Sequence, residues 1–186
     1  MRMTPQALTW QRDDFTVTTD PRCFDLDVIH DFLANQASWS QGIPRATLER
    51  SIANSLGFAL LHGGRQIGFA RVISDFATIA YLGDVFVIEA YRGRGLSKWL
   101  MECVVSHPDL QGLRRWSLAT SDAHGLCRKF GFTPLAAPER FMELFNPDVY
   151  PDRVPVARLT SGRVKFGLPL IAARCAKIAR RRVNDF

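Results

Sequence analysis

The sequence predicts an α/β (α+β) protein, with a mixed and mostly antiparallel central sheet flanked by helices on both faces. Two observations predict it. Residues 58–87 hold three successive β-rich runs, the first two split by Gly63-Gly64, which is the pattern of an antiparallel meander. From residue 94 onward, helix-type and strand-type periodicities alternate, as they do in a βαβ unit.

Taken in order, Asp14–Thr18 (DFTVT) alternates as a short strand does. From Asp25, a candidate cap, Leu26, Ile29 and Leu33 keep helical spacing. The turn-forming stretch Ser38–Pro44 follows, and Pro44 suits the first turn of a second helix carrying Leu48 and Ile52 and ending near Gly57. FALLH, Gly63-Gly64 and QIGFARVI form the hairpin, and TIAYLGDVFVI, from Thr78, is too β-branched and aromatic for a good helix. Leu96, Trp99, Leu100, Cys103 and Val104 then trace a strong helical stripe, closed by His107-Pro108. RRWSLAT is a further strand, and Asp122 is placed to cap a helix with Ala123, Leu126, Cys127 and Phe130 on its apolar side and Gly131 at its end. RFMELF, residues 140–145, completes the order as a last strand.

Length and charge divide the chain into a main domain, 1–146, and a basic extension, 147–186. Residues 151–186 hold nine Lys/Arg against two Asp, a balance of +7, whereas the preceding 150 residues carry −1. A helix is expected near 169–183, with Ile171, Cys175 and Ile178 on one stripe and Arg174, Lys177 and Arg181 on another. Such a segment suits solvation or self-association, so a homodimer is among the expected states. A membrane surface or a nucleic acid is the less favoured partner, because the main domain is near neutral. The four cysteines lie far apart with no CxxC pair, and the histidines are scattered, so neither a disulfide framework nor a metal site is expected. No apolar run approaches the roughly 20 residues of a membrane span, and the N-terminus lacks the apolar core of a secretion signal. A cytoplasmic location is expected.

The segment that carries chemistry is Asp84–Leu100, DVFVIEAYRGRGLSKWL, where a strand runs into a glycine-rich turn and then into a helix. The first amides of a helix have no partner inside it, and the helix dipole adds partial positive charge there. Gly93 and Gly95 let a bulky anion approach, and Arg92 and Arg94 add charge, so the segment is a candidate cradle for phosphate or diphosphate. The plainer alternative is a tight turn with solvated arginines.

Arg92-Gly93-Arg94-Gly95-Leu96-Ser97, together with the element order and the later LCRKFGF, resembles the GNAT superfamily of acetyl-CoA-dependent N-acetyltransferases over about residues 14–145. Ser97 stands where that family usually has glycine or alanine. The resemblance implies that backbone amides of Arg92, Gly93, Arg94, Gly95, Leu96 and Ser97 hold the diphosphate of coenzyme A. It implies that the strand at Val85, Phe86 and Val87 pairs with the pantetheine arm and supplies the oxyanion donor, and that acetyl-CoA is the cosubstrate. The acceptor is then a small-molecule amine or a peptide, recognised around Trp39–Pro44.

Two residues are candidate catalytic groups. In strict alternation Asp84 shares a face with Leu82 and Phe86, where apolar neighbours would suit a general base. The competing reading is a carboxylate bonded to backbone or to an arginine. Cys127 stands where the family often places a tyrosine as general acid, four residues before Gly131, but it also falls on the apolar stripe with Leu126 and Phe130, and core packing is its plainer role. His124, one turn earlier, is a weaker candidate proton shuttle. The alternatives to an N-acetyltransferase are a non-catalytic acyl-CoA sensor and a polyanion- or RNA-binding module built on the basic tail.

Overall fold

The computed structural model describes residues 6–150 of the chain. The expected extension, with its helix near 169–183, lies outside the described residues apart from its first few. Six strands form one sheet in sequential order: β1 (Thr9–Arg12), β2 (Phe15–Thr18), β3 (Leu56–His62), β4 (Arg65–Ser74), β5 (Ile79–Val87) and β6 (Arg115–Ser117). All neighbours are antiparallel except β5 and β6, which are parallel. The helices are α1 (Leu26–Asp31), α2 (Arg45–Ala53), α3 (Leu96–Val105) and α4 (His124–Arg128).

Local chemistry accounts for most boundaries. Asp25 caps α1, its carboxylate accepting from the backbone N–H of Asp27 and Val28, both at 3.1 Å. The chain then widens through a π-helical turn, Phe32–Gln36, closed by Ala37 N–H to Phe32 C=O at 2.9 Å. Pro44 opens α2 as expected, but the helix stops at Ala53 and not near Gly57. Gly57 belongs to β3, where a Cβ would lie 2.6 Å from the Phe24 ring. Gly63 and Gly64 turn the β3–β4 hairpin at φ 54° and 81°, the left-handed pair that a two-residue hairpin loop requires.

Two apolar clusters sit on opposite faces of the sheet. On one, Phe58, Leu60, Ala70, Val72, Ala80, Leu82 and Val87 pack against Leu96, Trp99, Leu100, Met101, Cys103 and Val104 of α3. On the other, Phe69 and Phe86 are covered by Ile29 of α1, Leu33 of the π-helical turn, and Leu48 and Ile52 of α2, and Phe32 stacks flat on Phe86 with ring centroids 3.9 Å apart. No helix among the described residues is long and apolar enough to cross a membrane.

Three expectations need correction. Residues 140–145 form no strand: Met142, Leu144 and Phe145 are 99%, 84% and 65% exposed, and only a 3-10 turn, Pro138–Arg140, precedes them. A strand needs a ladder, and β6 offers three residues where RRWSLAT promised seven. The helix after Asp122 begins at His124 without a side-chain cap, because Thr120 Oγ1, not Asp122, accepts the Ala123 N–H at 2.9 Å. Finally, β1 adds a strand that the pattern at Thr9–Arg12 did not announce.

Candidate active site

The site is built where β5 parts from β6. Their pairing covers only Ile79–Tyr81 against Arg115–Ser117. Beyond it, the main chain of Leu82–Val87 has β4 on one side and, among the described residues, no strand on the other.

Within that opened stretch β5 carries a bulge. Phe69 pairs with Phe86 and Arg71 with Gly83, so Asp84 and Val85 together oppose Ala70. Asp84 takes φ 54°, a left-handed conformation costly for a non-glycine residue. The extra residue shifts the alternation. Leu82 faces the α3 cluster, whereas Phe86 faces α1 and α2, so the two do not share a face. Val85 and Val87 now pack toward α3. The apolar setting expected for Asp84 is replaced by a polar one. Oδ2 accepts from Arg71 Nε and pairs with Arg71 Nη2, both at 2.7 Å, and Oδ1 accepts from Trp39 Nε1 at 3.2 Å. The bond to an arginine that the competing sequence reading allowed is therefore present, on a carboxylate whose side chain is 11% exposed.

The strand ends in a 3-10 turn, Glu89–Tyr91, and then in the glycine loop. Gly93 and Gly95 have φ of +77° and +71°, and a Cβ at either would meet nothing within 4 Å. Glycine is thus required by torsion, and the space above the loop is open. Gly95 stands at the N-cap of α3, and among the described residues no side chain caps it. The first helical N–H to be satisfied is that of Trp99, donating to Gly95 C=O at 3.1 Å. The amides before it face out of the helix end.

The arginines are more occupied than the sequence suggested. Arg92 Nε donates to Val87 C=O at 3.1 Å, tying loop to strand. The Arg94 guanidinium lies 5.1 Å over the Tyr91 ring, and the Tyr91 hydroxyl is 3.1 Å from His62 Nδ1. Leu96 is buried among the α3 contacts and Ser97 is half-buried in the first turn. Cys127 is 8% exposed, and burial pushes its thiol above the usual range, which makes it a poorer acid. His124 is exposed at the start of α4. Among the described residues no three His, Cys, Asp or Glu side chains gather to hold a metal.

Arg71, Tyr91 and His62 were not singled out from sequence. Only Arg71 left a signal there, as a charge inside the apolar run QIGFARVI.

A sheet split beside an uncapped glycine-loop helix is the architecture of an acyltransferase. The chain belongs to the Acetyltransferase (GNAT) family, whose description it matches over residues 8–132. It is similar to a crystal structure of a GNAT-family protein from Xanthomonas campestris pv. campestris, at 53% identity and a TM-score of 0.72, covering 74% of this chain and 96% of that one. It is 29% identical over 135 residues to a protein of Gibberella zeae whose name places it among the acetyltransferases, covering 61% of this chain and 75% of that protein. A Clostridium acetobutylicum protein solved with acetyl-CoA shares the fold at 14% identity and a TM-score of 0.54, covering 70% of this chain and 94% of its own.

Proposed function

We propose that the enzyme moves an acetyl group from acetyl-CoA to a primary amine by direct attack in a ternary complex. One observation carries this reading: the open edge of Leu82–Val87 ends where β5 hands over to the glycine loop and the uncapped first turn of α3. The amides of Gly93–Ser97 take the diphosphate, the Arg92 N–H being held by Glu89 C=O at 3.0 Å, and the main chain at Val85, Phe86 and Val87 holds the pantetheine arm as a neighbouring strand would. The Clostridium acetobutylicum neighbour was solved with the same thioester.

In the reaction the free amine attacks the thioester carbonyl carbon; the C–N bond forms and the C–S bond breaks. A backbone amide at the bulge donates to the oxygen as it becomes an oxyanion. Asp84 takes the proton from the incoming ammonium, directly or through a water. The new amide nitrogen gives up its extra proton to solvent, the departing thiolate takes one up from solvent, and Cys127 belongs to the core. The acceptor is a small molecule or a peptide bearing a primary amine.

An acceptor screen tests this reading. Free thiol released from acetyl-CoA is followed over amines, amino acids and peptides, beside the melting temperature with and without acetyl-CoA. Saturable, amine-dependent thiol release is expected. No release with any class, and no rise in melting temperature at millimolar acetyl-CoA, overturns the proposal.

A further inference from the structure

The geometry points to Trp39 as a positioning residue that acts through Asp84, fixing the carboxylate so that one acceptor position is left for the incoming amine. The inference rests on the amine-acetylation reading above.

A carboxylate has about four lone-pair positions. Arg71 engages Oδ2, donating through Nε and pairing through Nη2 at 2.7 Å each, and the Trp39 indole N–H takes one position on Oδ1 at 3.2 Å. The remaining position is on Oδ1. Without the indole, that oxygen would present two equivalent sites and the acceptor nitrogen no fixed approach.

The indole is mounted for this purpose. Trp39 lies in the turn between α1 and α2, and its neighbours are anchored. Ala37 and Ser40 are 2% and 7% exposed, Ser40 Oγ donates to Leu33 C=O at 2.8 Å, and Gly42 N–H donates to Ala34 C=O at 2.9 Å. The π-helical turn Phe32–Gln36 sets where this segment leaves α1. Trp39 itself remains 53% exposed. A large ring left half in water contributes little to the core, so its placement is explained by the hydrogen bond and not by burial. The left-handed Asp84 and the segment that follows the π-helical turn meet through this one bond, between residues 45 apart in sequence.

The test uses steady-state kinetics with an acceptor found in the screen. Trp39→Phe keeps the ring and removes the donor. It is expected to lower kcat roughly tenfold, the scale of one hydrogen bond to a charged group, with KM for acetyl-CoA within about twofold of the parent enzyme. In the Asp84→Asn background the same change is expected to cost under about twofold more, since the two residues act as one unit. Trp39→His, which can present a ring N–H, is expected to recover part of kcat. Unchanged kcat in Trp39→Phe overturns the inference. So does an equal loss in both backgrounds, which would make the indole a wall of the pocket and nothing more. A parent enzyme that transfers acetyl to no amine sinks the reaction itself, whatever Trp39 does.

Discussion

Arg71 and Asp84 sit across the β4–β5 bulge with two contacts of 2.7 Å, and their side chains are only 16% and 11% exposed. A pair this enclosed is costly to break from one side, because the survivor keeps its charge without a partner. Arg71→Met is therefore expected to lower the unfolding free energy by about 2–4 kcal/mol, measured by urea denaturation. A loss below about 0.5 kcal/mol would place the pair among solvated surface contacts.

Gly95→Asp places a carboxylate at the N-cap of α3, facing the position assigned to the diphosphate. The φ of +71° adds strain of about 1 kcal/mol for a residue with a Cβ. The variant is expected to fold, with a modestly lower melting temperature, and to lose the stabilisation given by acetyl-CoA. If the ligand shift survives intact in a thermal melt, the loop is not the anchor.

His107 is fully buried beside Trp10 and Phe58, and its Nδ1 accepts the Asp109 N–H at 3.2 Å. Burial lowers its pKa below the usual histidine value. The unfolded chain then takes up this proton at a higher pH than the folded one. Stability is intact above the unfolded value of about 6.5 and falls as the pH drops through it toward the folded value, by up to about 1.4 kcal/mol per pH unit. Urea midpoints at pH 7.5 and 5.5 measure the fall. His107→Gln should flatten that part of the profile, and an equally steep variant would assign the slope to other groups.

Cys127→Ala separates packing from acid catalysis. With the thiol 8% exposed and pushed up by burial, the substitution is expected to cost about 1 kcal/mol of stability and to leave kcat within about twofold. A hundredfold fall in kcat in a folded variant would restore the acid role.

Much of this fold is legible in the sequence because its signals are local. The Asp25 cap, the Gly63-Gly64 turn, and the stripe of Leu96, Trp99, Leu100, Cys103 and Val104 each lie within a few residues and appear as read. The glycine loop is legible for the same reason, since strand, turn and helix are contiguous. What escaped depends on distant partners. Parity along β5 cannot reveal that Asp84 and Val85 share one partner, Ala70, so Leu82 and Phe86 were assigned to a common face. The bonds from Trp39 and Arg71 to Asp84 span 45 and 13 residues and leave no periodic trace. RFMELF has the composition of a strand, yet composition does not show whether an edge long enough to receive it exists.

That edge has a consequence for behaviour at high concentration. The inner strands β3, β4 and β5 run to 7, 10 and 9 residues and are rich in aliphatic side chains, the material from which chains polymerise edge to edge. The two outermost strands stop at 4 and 3 residues. A newcomer adding to β1 or to β6 would gain only a few main-chain bonds, too few to outweigh the freedom it gives up. The brevity of β1 and β6 discourages fibrous growth from either of them.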